Sequence, residues 1–210
     1  MIGRLRGRSR EGRRGQSLVE FSVIVPVFLF ILLGMLEFGF AFDQAMTITY
    51  ATREGARSGA AFANGNTTSM PCATSTDVDK HIIAAVQRVL QGPGSRITSA
   101  RVSEIRIYKA DSSGNQVGGQ ANVWGYSVDS GPIVDGSPLD WNVTSTGWNA
   151  CTRQNAWVGA TAPDSIGVRI QYTYDLVTPL SLITRFFGSS SSSTIAITDR
   201  SVMALNPTND

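Results

Sequence analysis

A chain of 210 residues with 42% hydrophobic residues is long enough for one ordinary domain and too apolar to stay disordered. Its formal charge of +2 hides an asymmetry. Of 18 basic and 16 acidic residues, Arg4, Arg6, Arg8, Arg10, Arg13 and Arg14 precede residue 15 with only Glu11 against them, which leaves 12 basic and 15 acidic residues beyond. A nucleic-acid-binding domain needs its basic excess on the folded part, because phosphate contacts dominate affinity, so the pattern excludes that class and makes the basic tail a topology signal.

The first predicted element is an apolar helix. From Leu18 to Phe42 the only ionisable residues are Glu20 and Glu37, and the sixteen residues Phe21–Leu36 between them are apolar except for Ser22, with Pro26 and Gly34 as weak points. The run exceeds the about 20 residues that span a bilayer. Arginines on its N-terminal side predict that this end stays in the cytoplasm and the C-terminal part is exported. A removable secretory signal is the alternative, but its apolar region is shorter and ends at an A-x-A-like site, and none follows closely here. The block therefore reads as a membrane anchor in contact with lipid.

Glu20 is costly near the cytoplasmic end of such a helix unless water or a partner reaches it. It is preceded by Arg13-Arg14-Gly15-Gln16-Ser17-Leu18-Val19 and followed by Phe21. Further on come Glu37-Phe38-Gly39 and then Ala51, Arg53, Glu54, Gly55, Ala56, Arg57, Gly59 and Ala60. The first string resembles the class III signal of type IV pilins, and the two patches together, over roughly residues 14 to 61, resemble the TadE-like proteins of Tad (tight adherence) pilus systems. That resemblance implies a prepilin peptidase that cuts after Gly15. Residues 1–15 would then be a cleaved cytoplasmic leader, Gln16 the new N-terminus and Glu20 the fifth mature residue. Gly3, Gly7 and Gly12 have Arg8, Gly12 and Ser17 five residues on, so only Gly15 fits. An amine on Gln16 and a carboxylate one turn away can pair between neighbouring helices, which offsets the cost of each charge and sets axial register. The resemblance also implies other pilin-like subunits and the Tad inner-membrane assembly platform as partners.

The helix is expected to run over residues 16–61, with its membrane span at about 18–42 and a length near 65 Å at about 1.5 Å per residue. Arg53, Glu54 and Arg57 suit local pairs on a solvated face, or a contact with a partner subunit. Small residues at Ala41, Ala45, Gly55 and Gly59 allow another element to approach closely.

Residues 62–210 read as an extracytoplasmic α+β domain. Residues 77–91 place Ile82, Ile83, Val86, Val89 and Leu90 on one helical face, with Thr76 and Asp79 as a capping box and Gly92-Pro93 as the stop. Strands are expected over 101–110, 165–176 and about 194–205, the second alternating strictly from Ile166 to Tyr174. The predicted fold class is a long N-terminal transmembrane helix followed by a pilin-like domain with an antiparallel β-sheet. Residues 112–163 read as an insertion that holds all four tryptophans: Trp124, Trp141, Trp148 and Trp157. They suit either a small core or a carbohydrate-stacking surface. Cys72 and Cys151 suit a disulfide in an exported domain, closing a loop of about eighty residues for a stabilisation of about 4 kcal/mol.

Enzyme readings lack parts. The sole histidine, His81, reads as a helix-boundary residue, and no nucleophile elbow, zinc-protease or phosphate-loop motif occurs. No metal ligand set or cofactor is expected, because Asp129, Asp135, Asp140 and Asp164 lack calcium-loop spacing. Two functions stay open. One is a minor pilin of a Tad apparatus, acting in pilus assembly and adherence; the other is an anchored domain that binds a glycan or surface ligand through its tryptophans.

Overall fold

The computed structural model describes residues 11–62, 75–178 and 194–205, with side chains from residue 15 in the first stretch and from residue 77 in the second. The chain divides into two compact units, one of Met1–Phe40 with Leu176–Ser193, the other of Ala41–Asp175 with Thr194–Asp210.

In the first unit the helix α1, which extends over Glu11–Phe62, passes through Pro26 and Gly34 without a break. Pro26 removes one backbone N–H from the ladder, and Ser22 Oγ donates 2.8 Å to the Val19 carbonyl one turn before it. The stretch is long and apolar enough to cross a membrane, and none of its most apolar window is buried within the protein. Leu18, Phe21, Ile24, Phe28, Ile31 and Met35 all stand exposed. In water such a helix would leave these side chains unpartnered, which suggests membrane anchoring.

The second unit is α+β. α2 (Ser75–Leu90) is followed by a 3-10 turn at Ser99–Arg101 and then the strands β1 (Val102–Ala110), β2 (Gln116–Tyr126), β3 (Ile133–Val134), β4 (Ser137–Pro138), β5 (Trp141–Thr146), β6 (Ser165–Asp175) and β7 (Thr194–Ala204). Five of them form one antiparallel sheet in the order β5-β2-β1-β6-β7, while β3 and β4 make a separate two-residue hairpin. β6 buries Ile166, Val168, Ile170, Tyr172 and Tyr174 in strict alternation. β1 needs a bulge to do the same. Its register against β6 slips between Val102 and Glu104, so that Val102, Ile105 and Ile107 all become buried despite their mixed spacing.

Residues 112–163, expected as an insertion, supply two strands of the main sheet. β2 pairs with β1 from Ile105↔Trp124 outward, and β5 pairs with β2 from Tyr126↔Trp141. Trp124, Trp141 and Trp148 are buried in the core, and only Trp157 is exposed, at 65%. Gly, Asn and Ser hide these strands from a composition-based reading, because β2 carries Gly118, Gly119 and Gly125 and no charged residue to mark an outer face.

The part of α1 beyond Phe40 belongs to this unit and buries one stripe: Gln44, Ile48, Ala51, Thr52, Gly55, Ala56, Gly59 and Ala60. Its glycines are contact points. A Cβ on Gly55 would stand 2.7 Å from Val86 Cγ2 of α2 and 3.2 Å from Val168 Cγ1 of β6; one on Gly59 would stand 2.7 Å from Ile166 Cδ1 and 3.1 Å from Ile82 Cδ1. The G-x-x-x-G therefore lets a helix sit against α2 and β6 of its own domain.

Candidate functional site

Four features carry the chemistry singled out in the sequence: the N-terminal signal, the Glu37 patch, the Arg53–Arg57 patch and the cysteines.

Gly15, Gln16, Glu20 and Phe21 are all exposed on α1. Gln16 Nε2 donates to Glu20 Oε1 at 3.1 Å, one turn on. Residue 16 thus lies within hydrogen-bonding reach of the Glu20 carboxylate, the two having the i,i+4 relation that a helix imposes. Nothing stands within 4 Å of a Cβ built on Gly15, which lies within α1.

Glu37 behaves differently. It is 5% exposed on a helix whose neighbouring Leu36 and Phe38 are 55% and 73% exposed. Its carboxylate accepts the backbone N–H of Val177 at 2.9 Å and of Thr178 at 2.7 Å. Two backbone donors on one carboxylate are charge-assisted bonds, about twice as strong as neutral ones. Gly39 lies open, with nothing within 4 Å of a Cβ there.

Of the second patch, Gly55 and Ala56 are buried, Arg53 and Arg57 are exposed, and Glu54 is half-buried. Glu54 accepts from Arg57 Nε at 2.9 Å and Nη2 at 2.6 Å. That hydrogen bond holds the Glu54 carboxyl below its usual range and raises the Arg57 guanidinium. At this exposure the pair adds little stability. A groove of about 460 Å³ runs between this helix end and α2, lined by Glu54, Arg57, Phe62, His81 and Arg88. His81 stacks on Phe62, ring centroids 4.6 Å apart, as a packing residue at the helix edge.

Cys151 holds no free thiol. It lies in the 3-10 turn Ala150–Thr152, which Asn149 caps by accepting the Cys151 N–H at 3.0 Å. Cys72 lies outside the described residues, as does the Thr76 side chain of the expected capping box. Asp79, the other member of that box, turns inward. It is fully buried and pairs with Arg153 at 2.8 Å, while its second oxygen accepts from Asn122 Nδ2 at 2.6 Å. Arg153 also lies over the Trp148 ring, 4.4 Å from its centroid. The sequence carried a signal for this cluster, since Asp79 falls on the same helical stripe as Ile82, Ile83, Val86 and Leu90. Among the described residues no group of three or more His, Cys, Asp or Glu could hold a metal ion.

A model of the family described as TadE-like protein matches residues 15–57. No curated protein and no solved structure matches the chain. The matched stretch starts at Gly15 and ends at Arg57, and so takes in Glu20, Glu37 and Gly55. Over residues 15–57 the chain is thus similar to the TadE-like family.

Proposed function

We propose that the chain is a minor pilin-like subunit of a Tad pilus apparatus, matured by a prepilin peptidase between Gly15 and Gln16 and acting in pilus assembly and adherence. The observation that carries this reading is the TadE-like match on an apolar helix whose only exposed carboxylate near the matched start is Glu20, one turn from residue 16. Cleavage after Gly15 removes the arginine-rich leader, leaves an α-amino group on Gln16 and turns Glu20 into its partner between adjacent helices. Phe21 lies beside Glu20 on the same exposed surface. The leader faces the cytoplasm, the helix crosses the inner membrane once, and the sheet domain is extracytoplasmic, closed by a Cys72–Cys151 disulfide. Its partners are the peptidase, other pilin-like subunits and the Tad assembly platform.

Glu20→Leu separates this role from plain anchoring. The variant should reach the membrane at wild-type level, since it removes a charge from an apolar helix. Assembled pili, counted by shear fractionation, should fall sharply. Wild-type piliation with Glu20→Leu would leave the helix as an anchor alone. The glycan-binding alternative draws little support, because three of its four tryptophans are core residues.

A further inference from the structure

From the hydrogen bonds of Glu37 we infer that the helix unit meets the lipid surface at a second place, Val177–Thr178, and that Glu37 is the positioning residue that holds it there. The inference rests on reading α1 as the membrane span. Glu20 and Glu37 are 17 positions apart, which is about 26 Å along a helix at about 1.5 Å per residue, against about 30 Å of bilayer hydrocarbon. If Glu20 marks one edge of the hydrocarbon layer, Glu37 marks the other. Asp43, the next ionisable residue, follows within two turns, where the apolar run ends.

A carboxylate at that depth is costly unless it is bonded. This one is bonded to two backbone amides 2.7 to 2.9 Å away, both from chain that has just left the sheet. Hydrogen bonds of that length put Val177 and Thr178 at the depth of Glu37. Thr178 is buried beside it, whereas the Val177 side chain is 67% exposed. An apolar side chain exposed at the level of the interface faces headgroups and acyl chains. The sequence that continues from Thr178 agrees in composition, with Leu180, Leu182, Ile183, Phe186 and Phe187 and a single charge at Arg185. The partner is therefore a phospholipid surface.

The test uses the full chain in nanodiscs of phosphatidylethanolamine and phosphatidylglycerol, disulfide intact, with a nitroxide on Val177→Cys or, in a second sample, on Met35→Cys. Relative accessibility to oxygen and to a water-soluble nickel chelate reports depth. Both labels are expected on the oxygen-rich side, with residue 177 the shallower. Glu37→Ala should move the residue 177 label into water and leave the residue 35 label in lipid, while Glu37→Gln, which keeps one acceptor oxygen, should shift it less. A residue 177 label already in water while residue 35 stays in lipid overturns the second contact and leaves the anchor standing. A residue 35 label in water overturns the anchor itself, and the second contact with it. A residue 177 label that stays in lipid in Glu37→Ala overturns the role given to Glu37.

Discussion

Asp79, Arg153 and Asn122 form the most costly group of side chains in the sheet domain. Burial pushes the Asp79 carboxyl above its ordinary value, against the downward pull of Arg153 and Asn122. Asn122 links two loops as well, since its Oδ1 accepts from the Gly147 and Trp148 amides at 3.0 and 2.9 Å. Breaking a buried pair from one side costs about 3–5 kcal/mol, because the remaining charge has no compensation, whereas replacing both partners by apolar groups is often neutral. Arg153→Met should therefore lower the unfolding free energy of the domain, measured by urea denaturation, by about 3–5 kcal/mol, and Asp79→Leu with Arg153→Met should recover most of it. Equal losses in single and double variants would show that packing against Trp148, not charge, dominates. Gly59 gives a second case. Gly59→Val adds a branched side chain where Ile166 and Ile82 already stand within van der Waals distance, and should destabilise the domain by about 1–3 kcal/mol. Arg53→Ala, on the exposed face, should leave the urea midpoint unchanged.

Elements differ in how plainly the sequence announced them. α1, α2, β1, β6 and β7 were legible because each has a clear period or an unbroken apolar run. β2 and β5 were not. Their buried residues are Ala121, Asn122, Trp124 and Trp141; Ala121 and Asn122 are adjacent, and the pairing of β2 with β5 shifts register between Val123 and Trp124, so no period of two runs through them. The bulge near Val102 hid one inward position of β1 for a related reason. At the site, Gly15, Gln16, Glu20 and Phe21 were singled out by their resemblance to the class III pilin signal, and the helix sets residues 16 and 20 one turn apart. Glu37 was legible as a motif position, but its partners were not, since Val177 and Thr178 stand 140 and 141 positions away and donate through backbone. The sheet also makes a titration prediction. Burial raises the Glu104 carboxyl, but the guanidiniums of Arg106 and Arg169, at 3.0 and 2.8 Å, outweigh it, and the net shift is downward. A carboxyl whose folded value is depressed adds stability above its unfolded value and loses it as pH falls through the folded one. Chemical denaturation at stepped pH should show an acid limb that Glu104→Gln flattens; an unchanged limb would assign acid sensitivity to other groups.

At the scale of the whole molecule, one helix serves two environments. Its first part presents apolar side chains all round, and its last part presents a narrow stripe of small residues to α2 and β6. The TadE-like match, residues 15–57, takes in stretches of both parts. The central claim is that the helix is freed from its arginine-rich leader at one bond. Mass spectrometry of the N-terminal peptide from the membrane fraction, with the prepilin peptidase present and absent, tests it directly. The account predicts a chain starting at Gln16 when the peptidase is present and the intact leader when it is absent. A start at Met1 in both, or a cut beyond residue 42, would contradict it.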